Sequence, residues 1–338
     1  LDCLTPDVTC TQATVSFVRA DTSPLRGLSV TFELSEELQL CSAPASAITI
    51  LTGTGSLLAT YTNYQPQIVD NGGGSYTVDI AVLGDPCGPT AGGDVFTIDV
   101  AAAAGVTTDA IGTIAVTDVT VRDCDNAPLP GIPGPAADVS IDLTAPAAIT
   151  DLEAVQVKTG NDSDGTTQIV LSWTAPADPD ADFVEIWRKG YGDYPEYDDG
   201  TGAAPALPVE TANDWIHVTD VPATDTGYND EPATRDFWTY AVKVVDACGN
   251  VSTVAAEELT DGTLNYHLGD VTDGVTPGQG DNLVNTLDVS HFGGGYGTVE
   301  GDGDYRNYLD IGPTTDFSPD GRPTTDSMIQ FEDLIVLA

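Results

Sequence analysis

The residues best placed to do chemistry are aspartates near the C-terminus, because they come as a repeated set. Asp270, Asp281 and Asp288 are matched in order by Asp310, Asp326 and Asp333. In both sets the second and third acids are seven residues apart. Val284 and Ile329 each stand four before the final Asp, and Val271 and Ile311 each follow the first. Carboxylates at fixed spacing are the donor set of a hard cation. A calcium loop of about twelve residues offers carboxylates at its first and fifth positions, a backbone carbonyl at its seventh and a carboxylate at its twelfth. With Asp281 and Asp326 at the fifth position, the carbonyls of Leu283 and Met328 fall at the seventh, and Asp288 and Asp333 close the loops. Two calcium ions are the expectation; one ion, or acidic turns without any, are the competing readings. Val284 and Ile329 are expected to pair across the two loops. The segments LDVSHF and FEDLIVL then begin short amphipathic helices, with acids in the first turn as the helix dipole favours. Asp270 to Asp288 spans 19 residues and Asp310 to Asp333 spans 24, so both loops carry insertions between the first and fifth positions. The third ligand is open between Thr272 and Asp273 in the first loop and is undefined in the second.

Thiols are the second reactive group. Cys3, Cys10, Cys41, Cys87 and Cys124 lie in the first 124 residues, and Cys248 stands apart. There is no CxxC motif, and His217, His267 and His291 are isolated. That pattern argues against zinc and for disulfides in an oxidising compartment. Connectivity is not readable from six cysteines. Cys3 with Cys10 is a candidate local staple, and Cys248 is the candidate leftover thiol.

The charge balance excludes whole classes of partner. With 10 Lys+Arg against 53 Asp+Glu, the net charge is −43. A surface that binds phosphates needs clustered basic residues, so nucleic acid is excluded as a partner. Docking on an anionic membrane is disfavoured for the same reason. No apolar run approaches the roughly 18 residues needed for a spanning helix. At 41% hydrophobic content the chain can still build real cores. Beginning at Leu1 without Met, it is expected to be a mature product that has lost a leader.

The elements that must carry these groups are mostly strands. Runs at 14–18, 28–34, 76–82, 95–100, 114–121 and 139–143 alternate apolar and polar residues, so one face packs inward and the other meets water. Gly-rich stretches at 71–74 and 92–93 are the turns between them. Such spacing implies two antiparallel sheets packed face to face.

Three resemblances organise the chain. The segments DTSPLRGLSVTFELSEELQL, GGGSYTVDIAVLG and GTIAVTDVTVRD resemble the jelly-roll sandwich of cohesin-type domains, with a generic β-sandwich as the competing reading. ITDLEAVQV, QIVLSWTAP, DFVEIWRKG and YAVKVVDACGNVS resemble a fibronectin type III domain, with Trp173 filling its core. The duplicated aspartate loops, with the string DNLVNTLDVS, resemble a dockerin and depart from it in their insertions. The expected fold is therefore mainly β: a cohesin-like sandwich over 1–144, a fibronectin type III sandwich over 145–262 and a small calcium-binding, dockerin-like helical module over 263–338. The stretch 191–213, which carries Asp193, Glu196, Asp198 and Asp199, is read as a solvated acidic loop, with a cation site as its alternative. Gly293-Gly294-Gly295 is read as a helix stop and flexible link.

No Ser-His-Asp order, nucleophile elbow or phosphate loop is present, and TGTGS at 52–56 reads as a turn. The chain is read as a non-enzyme. In the families resembled, cohesins bind dockerins, and a chain with both kinds of module can join head to tail. The expected function is a secreted structural subunit of an extracellular filament or tube, with other copies of itself as partners. The alternative is a monomeric cell-surface or scaffold component. It would be anchored through its dockerin-like end to a cohesin-bearing protein, with its first sandwich binding carbohydrate or protein.

Overall fold

The computed structural model describes residues 3–84, 87–197 and 202–337. They divide into two compact units, residues 1–145 with 248–250, and residues 146–247 with 251–338. Among the described residues no helix is long and apolar enough to cross a membrane.

The first unit is a two-sheet sandwich. Its strands are β1 (Thr11–Phe17), β2 (Leu25–Leu34), β3 (Leu38–Leu40), β4 (Ile48–Ile50), β5 (Tyr64–Gly72), β6 (Ser75–Val82), β7 (Gly93–Ala102), β8 (Ala110–Asp123), β9 (Pro128–Leu129) and β10 (Ala137–Ile141), with one helical turn, α1 (Pro44–Ala47). One sheet runs β10-β8-β2-β6-β5, with β9 added to β8; the other runs β1-β7-β3, with β4 also on β7. The alternation in sequence is what packs it. Leu28, Val30, Phe32 and Leu34 of β2 all point inward, where they meet Val78 and Ile80 of β6 and Phe96, Ile98 and Val100 of β7. Phe32 stacks on Tyr76 with ring centroids 5.5 Å apart. Each such side chain contributes about 1.5–3 kcal/mol of burial.

All six cysteines are paired. Cys10–Cys41 and Cys87–Cys124 each bridge Cα atoms 6.0 Å apart, and Cys3–Cys248 bridges 5.4 Å. The local staple is thus corrected: Cys3 does not close on Cys10, and Cys248 is no leftover. Cys10 opens the way into β1, which runs antiparallel to β7 beside β3, so its near partner is Cys41 just after β3.

The second unit begins with a sandwich of three and four strands: β11 (Glu153–Gln156), β12 (Ile169–Ser172), β13 (Ala181–Gly190), β14 (Ile216–Pro222), β15 (Gly227–Asp230), β16 (Phe237–Asp246) and β17 (Thr263–Leu264). The sheets run β11-β12-β15 and β14-β13-β16-β17. Trp173 is buried in the core with Ile169, Leu171, Ile186 and Val244. At one end, Asp230 accepts from Arg188 Nη1 at 2.7 Å and from the Tyr240 hydroxyl at 2.8 Å.

The chain then continues without leaving this unit. Leu264 pairs with Phe237. The fully buried Asn265 donates to Pro232 O and Thr234 O at 2.8 and 2.9 Å. Two helices follow, α2 (Thr286–Gly295) and α3 (Phe331–Leu337). The three glycines are not a link: they are the last residues of α2. A Cβ on Gly295 would lie 2.8 Å from Leu309 Cδ1 and 3.2 Å from Ile329 Cδ1, so the missing side chain is what lets α2 approach its neighbours. The stretch 191–213 is also not simply solvated. Tyr197 is buried, and its hydroxyl lies 3.1 Å from that of Tyr266, while Glu196 accepts from Tyr305. Asp198 and Asp199 lie outside the described residues.

Candidate cation-binding loops

The two aspartate sets fold as two copies of one hydrogen-bonded cradle. In the first, Asn285 caps α2: its Oδ1 accepts from Leu287 N, and its own N–H donates to Asp288 Oδ2, both at 2.8 Å. Asp288 Oδ1 accepts from Val271 N and Thr272 N at 3.0 Å. In the second, Asp333 repeats each contact. Its Oδ2 accepts from Gln330 N at 2.7 Å, and its Oδ1 from Ile311 N and Gly312 N at 2.8 and 2.9 Å. The closing acid of each loop therefore caps a helix and clamps the chain that follows the opening acid.

The opening and fifth-position acids also correspond. Asp270 Oδ1 accepts from Asp281 N and Oδ2 from Asn282 N, both at 2.9 Å; Asp310 Oδ2 accepts from Asp326 N at 3.2 Å. Asp281 and Asp326 each turn back to accept from Leu283 N and Met328 N at 3.1 Å. Between them Asn282 and Ser327 share the left-handed backbone, with φ 63° and 62°. The insertions do not spread the cradles because each closes on itself. Thr272 bridges Pro277 in the first and Thr314 bridges Pro323 in the second. Thr272 and Asp273, the two candidates for the third position, both serve the first insertion's turn, accepting from Gly274 N and Val275 N.

One expected contact is absent. Ile329 is buried and exchanges backbone hydrogen bonds with Gly297 and Thr298, whereas Val284 is 43% exposed. The segment after α2 runs back beside the second loop, where Val299 bridges Met328, and takes the place expected of Val284.

Asp270, Asp288, Asp310 and Asp333 are all at most 1% exposed. Burial, then the neighbouring Asp333 and Asp326, push Asp310 up to about 8. Burial also lifts Asp333 to about 6, against the three backbone N–H groups it accepts. Asp270 is raised by burial too, with the Arg235 guanidinium opposing the shift. Asp310 Oδ1 is buried without a hydrogen-bond partner. Leaving such an acceptor unmet costs about 1–3 kcal/mol or more, and a hard cation is a partner suited to it. The donors at hand for one are oxygens: the carboxylates of Asp310, Asp326 and Asp333 and the carbonyl of Met328, with Asp270, Asp281, Asp288 and Leu283 in the first loop. The carboxylates of neither loop have drawn into a tight cluster. Among the described residues the acid and histidine groups whose ligand atoms lie within 4.8 Å of one another do not include them. Glu185–His217–Asp220 and Asp162–Asp164–Glu231 do reach that spacing, with mostly exposed side chains.

Sequence reasoning passed over the sandwich residues that reach these loops. Arg235 donates to the Asp270 carboxylate, Tyr194 packs edge-on against Tyr266, and Lys158 pairs with Asp320. The scarcity of basic residues was the one available signal, since each of so few has a neighbourhood of acids to choose from.

No protein-family model matches the chain, and no curated protein matches it. Among solved structures it is similar to cohesin modules. A cohesin module from a Clostridium perfringens family 33 glycoside hydrolase is 13% identical, covering 43% of this chain and 93% of that one, with a TM-score of 0.32. The type II cohesin dyad of an adaptor scaffoldin from Acetivibrio cellulolyticus is 11% identical over 74% of this chain and 92% of that one, TM-score 0.32. A non-cellulosomal cohesin from Archaeoglobus fulgidus is 15% identical over 41% and 86%, TM-score 0.30.

Proposed function

We propose that this protein is a secreted, non-catalytic structural subunit that joins end to end with copies of itself. Its cohesin-like first sandwich receives the dockerin-like loop-helix region of the next copy, and its fibronectin type III-like sandwich is the spacer. The observation that carries the reading is the duplicated cradle, whose helices turn apolar side chains outward. Leu287 and Val289 of α2 and Phe331 and Ile335 of α3 are between 48% and 63% exposed. Large apolar groups on the outside of two short helices are what a protein-docking face requires. The two ends differ, so the contact is heterologous and propagates into an open filament or tube unless its rotation closes a ring. Three disulfides support an oxidising compartment, which we read as the extracellular space. Calcium is the cofactor of the aspartate loops, where it offsets the mutual repulsion of buried carboxylates.

The test is assembly of the purified chain, followed by electron microscopy and size-exclusion chromatography. Filaments or tubes are expected with calcium and monomers in chelator. A monodisperse monomer at high concentration with calcium present would refute self-assembly and favour the anchored scaffold component. Equal assembly without calcium would remove the cation from the mechanism.

A further inference from the structure

The two cradles match in the backbone contacts of their closing and fifth-position acids, yet differ at the opening carboxylate. Asp270 is fully engaged. Its Oδ2 takes Arg235 Nη2 at 2.7 Å in addition to Asn282 N, and its Oδ1 takes Asp281 N. Arg235 comes from the sandwich, in the segment between β15 and β16, and its side chain is 9% exposed. Its remaining nitrogens are also satisfied. Nη1 donates to the Asp270 carbonyl at 2.7 Å and Nε to Gly165 O at 2.8 Å, and the guanidinium lies 5.2 Å from the Tyr266 ring centroid. Nothing in this arrangement is provisional. A planar, always-charged group is held by three oxygens and an aromatic ring with little of it left exposed.

The backbone is shaped to admit it. A Cβ on Gly280 would lie 1.9 Å from Arg235 Nη2 and 2.0 Å from Asp270 Oδ2. The matching position in the second loop, one before Asp326, is Thr325. Where the arginine enters there is no side chain; where it does not, there is one. Among the described residues no Lys, Arg or His forms a salt bridge with Asp310, Asp326 or Asp333; Arg306 donates to carbonyls of Gly303 and Tyr305 and Arg322 lies over the Tyr191 ring. Asp310 Oδ1, in a residue 1% exposed, is the opening-carboxylate oxygen left open; in the first loop the open acceptor is instead an amide oxygen, Asn282 Oδ1, which carries no charge for a cation to offset.

We infer that the two loops have taken different counterions: the first is closed by Arg235 as a resident cation, and the second alone takes up one divalent, oxygen-seeking ion around Asp310. The inference rests on the calcium reading above and narrows it from two ions per chain to one. It also gives the first loop a different job. Asp270 and Arg235 tie the aspartate loop to the sandwich permanently, so only the second loop responds to the ion.

Calcium binding to the full, disulfide-intact chain tests this, by isothermal titration calorimetry with native mass spectrometry for the count. One calcium per chain is expected. Asp310→Asn should abolish it, whereas Asp270→Asn should leave one ion bound. Arg235→Gln frees Asp270 and should raise the count to two, a count still at one in a folded variant counting against Arg235 as the closing cation; its circular dichroism reports whether it has folded. Two ions on the unaltered chain overturn the inference, as do none, or loss of the ion in Asp270→Asn with retention in Asp310→Asn. The wild-type count needs no variant to fold. One ion bound by a chain that never assembles would sustain this inference while refuting the filament.

Discussion

Asp230 shows how much a single buried acid can hold. It accepts from both the Arg188 guanidinium and the Tyr240 hydroxyl inside the second sandwich. Replacing it with Ala leaves a cation 20% exposed and a buried phenol without their acceptor. Loss of one partner from a buried pair costs about 3–5 kcal/mol. Asp230→Ala should therefore lower unfolding stability by roughly that amount in urea titration, and an unchanged midpoint would show that the pair contributes nothing net. Sequence reading found Tyr240 through its alternating strand but not Asp230 or Arg188, because nothing in a strand pattern says which inward polar residues meet. The same limit hid Arg235. Its bond to Asp270 joins residues 35 apart, and only packing of the whole unit brings them together. The aspartates themselves were legible because duplication leaves a pattern in sequence that a single pairing does not.

Among elements, the strands that read clearly were those with one wet and one dry face. β2, β6 and β8 alternate, whereas β7, in the middle of its sheet, buries Val95, Phe96, Thr97 and Ile98 in succession. β5 escaped notice because its residues are Tyr64-Gln65-Pro66-Gln67 with little apolar alternation, and because proline is unwelcome in most strands. It lies at the edge of its sheet, where a missing N–H is tolerated. The helices α2 and α3 were placed by the acids of their first turns, while their caps went unread, and the caps differ. Asn285 supplies a side-chain acceptor to α2, whereas the Gln330 side chain reaches Asp326 instead. Asn285→Ala should cost about 0.5–2 kcal/mol, read as faster amide hydrogen exchange in α2. Gln330→Ala should change exchange in α3 far less. Equal effects at the two positions would mean that capping by side chain is not what distinguishes the helices.

At the scale of the whole molecule, the bridge from Cys3 to Cys248 matters most. It closes a loop with a sequence separation of 245, which includes both sandwich sequences up to the end of β16. Removing it, as Cys3→Ser with Cys248→Ser, should cost about 2–5 kcal/mol, measured as a shift of the denaturation midpoint. The bridge also decides what yields when the chain is pulled by its two ends. When tension enters before Cys3 and leaves after Cys248, the covalent path jumps directly from one to the other, bypassing the first sandwich and all of the second except β17. In a single-molecule pulling experiment the oxidised chain should yield only the short contour of its last segment. Reduction should release about 800 Å more, at roughly 3.3–3.6 Å per residue. The disulfide thus acts as a strain relief for a chain drawn out by its ends: the C-terminal segment gives first, with β17, while the strands up to β16 stay folded.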